Sequence, residues 1–213
     1  MEFETEEQQV EALKKWWKEN GKQIIVGTVV GFSLIIGWRY YIDYAEKQTS
    51  AASALFEQII AKTDASSNSV DKTAVFEKIK KDYSSTPYSA SAALVLAKTY
   101  YEAGNKDKSV ETLDYVISNS KDSILVQVAK ERKARVLIDM AKPQDALLVL
   151  SDDVDQAFKA IFEELKGDAY TLLGDVEKAR AAFDKALLNS SGDKTMLQMK
   201  RDNLGESATG PAA

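Results

Sequence analysis

The sequence holds 213 residues and carries a net charge of −5, from 28 Lys and Arg against 33 Asp and Glu. That length allows one ordinary domain plus a short extra segment, and 29% charged with 9% aromatic residues excludes a disordered or fibrous chain. With no cysteine and no histidine there are no disulfides, thiolate metal sites or Cys nucleophiles, and the commonest general base is missing; an acidic chain also argues against nucleic acid.

Residues 1–22 read as a short polar segment, with Lys14, Lys15, Lys18 and Lys22 gathered near its end. Ile24 to Trp38 follows without a charge. Fifteen helical residues span only about 22 Å, short of a hydrocarbon core of roughly 30 Å. Extension through Tyr40, Tyr41 and Ile42 supplies the rest, with Arg39 snorkelling near the helix end. Trp16, Trp17, Trp38, Tyr40, Tyr41 and Tyr44 flank the run as an aromatic belt. The expectation is a transmembrane helix over 23–43.

A buried core helix is the competing reading, but no other segment is equally apolar and able to partner it. A cleaved signal peptide would need an n-region over twenty residues long and rich in Glu, and its nearest small-x-small site, Ala52-Ser53-Ala54, lies far past the run. The lysines before the run outnumber Arg39 and Lys47 after it, which predicts a cytoplasmic N-terminus and a translocated C-terminal part. Gly27 and Gly31 form a GxxxG, the spacing of close helix–helix contact; ordinary glycine content of a membrane helix is the simpler explanation.

From Tyr44 the pattern is helical and all-α. Ala51, Ala54, Leu55, Ile59 and Ile60 make one apolar stripe; Val75, Phe76, Ile79 and Tyr83 make another, across a loop at Thr63–Ser69. Pro87 after Thr86, and Pro143, mark helix starts. Three segments then align on themselves. The turn positions Gly104, Ala141 and Gly174 bracket a 34-residue period. The third segment, LKGDAYTLLGDVEKARAAFDKAL, resembles the tetratricopeptide repeat (TPR) pattern: Gly167 lets the second helix approach, Tyr170 fills between, Gly174 ends the first helix, and Ala179, Phe183 and Ala186 pack. Lys133 and Lys166 stand where a large apolar residue is usual; Phe162 and Leu165 are placed to cover the second gap. Met196, Leu197 and Met199 predict a final capping helix. The expected boundaries are 44–204 for the repeat domain and 205–213 for a frayed tail.

No P-loop, dinucleotide loop or HExxH occurs. Asp152-Asp153 is a fragment of a calcium loop without its central Gly. Glu163-Glu164, and the charges at Lys80-Lys81 and Lys130–Arg135, read as solvated faces. The expectation is no enzyme, no cofactor and no metal.

In TPR arrays the first helix of each repeat lines the concave face. Carried onto these residues, that geometry implies a partner groove of Leu94, Lys98 and Tyr101, then Glu131, Arg135 and Ile138, then Glu164, Asp168 and Thr171, with Tyr101 as the best single anchor; the competing reading is that Tyr101 packs on the helix pair below it, beside Tyr100 at the core position.

Several pieces together resemble one family, the YfgM-type ancillary subunits of the bacterial Sec translocon. They are Gln9-Val10-Glu11 with Glu19-Asn20-Gly21-Lys22, Gly37-Trp38-Arg39-Tyr40, Ala134-Arg135-Val136, Gly167-Asp168 with Gly174-Asp175, and Met196-Leu197-Gln198-Met199-Lys200 with Asn203-Leu204. The resemblance implies an inner-membrane protein with a periplasmic TPR-like domain. It implies association with SecYEG and a membrane-anchored periplasmic chaperone of the prolyl-isomerase type, and help for newly exported proteins on their way to folding factors. An anchored TPR scaffold for another envelope assembly, such as cytochrome maturation or cell-wall synthesis, is the alternative.

Overall fold

The computed structural model describes residues 6–61, 71–151 and 154–205. The Thr63–Ser69 loop, the Asp152-Asp153 pair and tail residues 206–213 lie outside the described residues. Two compact units divide the chain, Met1–Ser50 and Ala51–Ala213. All regular structure among the described residues is helical: α1 (Glu6–Ile60), α2 (Lys72–Asp82), α3 (Pro87–Glu102), α4 (Lys106–Asn119), α5 (Ser123–Asp139), α6 (Pro143–Val149), α7 (Gln156–Leu172), α8 (Val176–Asn189) and α9 (Thr195–Asp202).

The first unit holds most of α1. The expected membrane span over 23–43 lies inside this one unbroken helix, Glu6–Ile60, rather than forming a helix of its own length. No proline occurs before Pro87, and isolated glycines weaken a helix without stopping it. Its large apolar side chains from Ile24 to Ile42 are all exposed, and the helix is long and apolar enough to cross a membrane. The Ser33 hydroxyl donates to the Val29 carbonyl at 2.8 Å, so this polar group is satisfied within the helix. Nothing lies within 4 Å of a side chain built at Gly27 or Gly31; both are open on the helix surface.

The second unit begins with the last turns of α1. Here the packed stripe differs from the expected one: Ala52 and Ile59 are fully buried, Leu55 and Phe56 pack beside them, and Ala54 and Ile60 face out. Positions 52, 55, 56 and 59 keep the i, i+3, i+4, i+7 spacing of one helix face. The Phe56 ring meets Tyr88 of α3 at 5.6 Å. Phe76 and Ile79 carry α2 into the same core.

The next six helices form three hairpins that share one register. The turn of each closes with the same pair of backbone bonds: Asn105 to Tyr100 and Gly104 to Tyr101, Lys142 to Leu137 and Ala141 to Ile138, Asp175 to Tyr170 and Gly174 to Thr171, each from N–H to C=O at 2.8–3.0 Å. This is the Schellman closure, and it needs a left-handed residue at its corner. Gly104 and Gly174 supply φ of 78° and 71°; Ala141 supplies 55°. Seven residues before each corner stand Ala97, Ala134 and Gly167, and nine after stand Leu113, Leu150 and Phe183, all buried. Small residue opposite large residue sets the helix crossing of each repeat.

The middle corner is the only left-handed residue among the described ones that is not glycine. An L-residue in that conformation costs about 1–2 kcal/mol, while glycine loses roughly 0.5–1 kcal/mol of chain entropy. Ala141→Gly is therefore expected to stabilise by about 0.5–1 kcal/mol, read as a rise of about 2 °C in Tm. A lowered Tm contradicts the strain.

Beyond the hairpins, α3 touches α5 and α5 touches α7, so first helices line up along one face. α9 packs on α8 through buried Leu197 while Met196 and Met199 stay exposed.

Candidate partner-binding groove

The nine residues expected in the groove fall into three rows at the repeat spacing. Leu94, Glu131 and Glu164 form the first, Lys98, Arg135 and Asp168 the second, and Tyr101, Ile138 and Thr171 the third. Leu94 is closed off: it is 7% exposed and belongs to the core cluster around Leu96 and Leu113. It lines no open groove, because α5 closes over it and Arg132 donates to its carbonyl. Ile138 is half-buried against the cluster of Leu137 and Phe162. Thr171 is exposed, its hydroxyl bonded back to the Gly167 carbonyl at 2.8 Å.

Tyr101 both faces the groove and ties two repeats together. It is 42% exposed. Its hydroxyl donates to Asp139 Oδ2 at 3.0 Å, and Lys106 Nζ approaches the same carboxylate at 2.7 Å. The hydrogen bond to Asp139 holds the Tyr101 phenol above its usual pKa. Hydrogen bonds from Lys106 and Tyr101 hold the Asp139 carboxyl below its own, and the bond to Asp139 raises Lys106. The phenol stays protonated and the carboxylate ionised throughout neutral pH, so the link from α3 to α5 is a charge-assisted one.

The far end of the groove carries a second link. Lys200 of α9 reaches Glu164 Oε1 at 2.8 Å and Asp168 Oδ2 at 2.7 Å. Half-burial raises the Asp168 carboxyl despite the ammonium beside it. Burial opposes the Lys200 charge, yet its bonds to Asp168 and Glu164 leave its pKa raised. Glu163 and Glu164 are not the solvated face expected of them: Glu163 pairs with Lys166 at 2.6 Å, and both carboxylates are largely shielded. Glu131 pairs with Arg135 one turn away.

Between α3, α4 and α5 the groove deepens into a cavity of about 330 Å³, with Lys98, Tyr101 and Arg135 among its walls. Asp139, Lys106, Arg132 and Lys200 carry much of this geometry; in sequence Lys200 stood out only as part of the terminal Met-rich motif and Arg132 only within a charged face, and none of the four as a contact between repeats. Their contacts join residues 32–38 apart, and no local spacing marks such pairs. Among the described residues no cluster of three or more acidic side chains is arranged to hold a metal ion.

The tetratricopeptide repeat-like domain family model matches residues 14–206. An "Ancillary SecYEG translocon subunit" of Escherichia coli K12 is 30% identical, covering 95% of this chain and 98% of its own. The chain belongs to the family of ancillary SecYEG translocon subunits. The relative of that name in Haemophilus influenzae Rd is likewise 30% identical, over 93% of this chain and 97% of its own. The one in Neisseria gonorrhoeae is 28% identical over the same shares. No solved structure matches the chain. The family match begins at Lys14, so the apolar stretch of α1 is part of the family's pattern along with the repeats.

Proposed function

We propose that this protein is a membrane-anchored, non-enzymatic adaptor that works beside the SecYEG translocon, its repeat groove holding partner proteins. The observation that carries this reading is the match over nearly the whole of relatives named for that translocon. Residues 1–22 lie in the cytoplasm, 23–43 cross the inner membrane, 44–204 form the periplasmic repeat domain and 205–213 its tail; the lysine excess before the apolar run supports that direction. The groove residues Lys98, Tyr101, Glu131, Arg135, Ile138, Glu164, Asp168 and Thr171 face partners. Gly27 and Gly31 offer a helix contact within the bilayer. A membrane-anchored prolyl-isomerase-type chaperone and newly exported clients are the partners on the far side, and the adaptor helps pass the second to folding factors.

Groove composition supports a protein ligand: the exposed Tyr101 ring stands among the exposed cations Lys98 and Arg135 and the half-buried acids Glu131, Glu164 and Asp168, the mixture found in protein interfaces. The test is purification of the full chain in mild detergent. SecYEG subunits are expected to come with it in stoichiometric amount. Their absence, with a different envelope complex in their place, contradicts the reading.

A further inference from the structure

We propose that the cavity between α3, α4 and α5 seats one large apolar side chain of an acidic partner segment, with Lys98, Arg132 and Arg135 reading the flanking carboxylates. This rests on the reading of the groove as the partner surface. The floor is apolar: Ala97, Leu113 and Val136 line it. The one hydroxyl there, on Ser109, already donates to the Ala97 carbonyl at 2.8 Å, so an entering side chain strands no polar group. At about 330 Å³ the cavity sits at the small end of ligand sites, which run from roughly 300 Å³ upward; that is room for an aromatic or long aliphatic anchor.

The rim sets the sign of the flanks. Three cations and no carboxylate are among the lining residues. Lys98 has only a loose, exposed pairing with Glu102 at 3.6 Å. The Arg132 guanidinium has a long contact, 3.4 Å, to the Leu94 carbonyl, weak at that distance. Arg135 is paired with Glu131 but keeps donors to spare in its planar fork. The nearest acid on the Tyr101 side, Asp139, is already held by Lys106 and Tyr101. Because Asp139 pins its hydroxyl, Tyr101 is a fixed wall, so little ordering cost attaches to binding.

The probe is a fluorescein-labelled peptide with one phenylalanine between two pairs of aspartates, titrated into the full chain in detergent and read by anisotropy. The wild-type chain is expected to bind it, and the affinity to fall as NaCl rises. Arg132→Glu with Arg135→Glu is expected to weaken binding about tenfold or more, with the melting curve retained. Arg132→Lys with Arg135→Lys is expected to recover part of that loss, and Lys185→Glu, exposed on α8, to change affinity less than about twofold. Three results each overturn the proposal: equal binding of a peptide with lysines for aspartates, equal binding with serine for phenylalanine, or unchanged affinity in the charge-reversed variant. SecYEG still co-purifying with a chain that fails these titrations discards the cavity and keeps the adaptor. Loss of SecYEG alone discards the adaptor and keeps the cavity.

Discussion

Gly167→Ala is expected to destabilise the repeat domain by about 1–3 kcal/mol, and Gly167→Trp by more. Alanine normally improves a helix interior by roughly 1 kcal/mol over glycine, so the sign is the informative part. A side-chain carbon at this position would lie 2.5 Å from Phe183 Cε1 and 2.7 Å from Cδ1. The Phe183 ring is 1% exposed and cannot swing away. The other two repeats show the remedy. They carry Ala97 with Leu113 and Ala134 with Leu150 at the same two positions. Adding Phe183→Leu to Gly167→Ala is therefore expected to recover most of the loss, a favourable coupling between touching residues. Thermal melting of the four variants in detergent measures the cycle. Additive losses would mean that the two positions do not meet.

Phe162→Ala is expected to cost about 3–5 kcal/mol. The ring is 1% exposed, joins the cluster of Ala134, Leu137, Leu150 and Leu165, and meets Phe158 edge-on at 6.3 Å. It carries α7 into the α5–α6 hairpin, so its loss opens a cavity at the seam between the second and third repeats. Lys166→Ala, four residues on, is expected to change stability by less than about 1 kcal/mol, since its pairing with Glu163 is a local i,i+3 contact within one helix and fills no core position. Equal losses from both would return the core position to residue 166.

These two cases mark where the fold was legible in sequence. Gly104, Gly174 and Gly167 could be read because each solves a local steric problem at a fixed offset from its neighbours. Phe162 and Leu165 could be inferred to replace the missing apolar residue at 166. The ends of α1 could not be placed: it runs unbroken from Glu6 to Ile60, and hydropathy marks the apolar span within it but not where the helix itself starts or stops. The stripe after it shifted for the same reason, with Ala52 and Phe56 replacing Ala54 and Ile60 once the helix phase was fixed.

The groove divides in the same way. Its rows followed from the repeat period, and Tyr101 and Arg135 stand on the cavity wall. Leu94 fell inside, since a first-helix position beside Leu96 and Ala97 is covered when α5 closes over it. The linking roles of Asp139 and Lys200 could not be read because their partners sit a full repeat away.

The central claim is an anchored adaptor whose groove lies across the membrane from its lysine-rich end. Single cysteines in this cysteine-free chain test it directly: one at Lys121, exposed in the α4–α5 turn, and one at Gln9, exposed near the start of α1. With a membrane-impermeant thiol reagent on intact spheroplasts, the cysteine at 121 is expected to label at once, and the one at 9 only after the membrane is broken. Labelling at 9 with protection at 121 would place the groove in the cytoplasm and contradict the account.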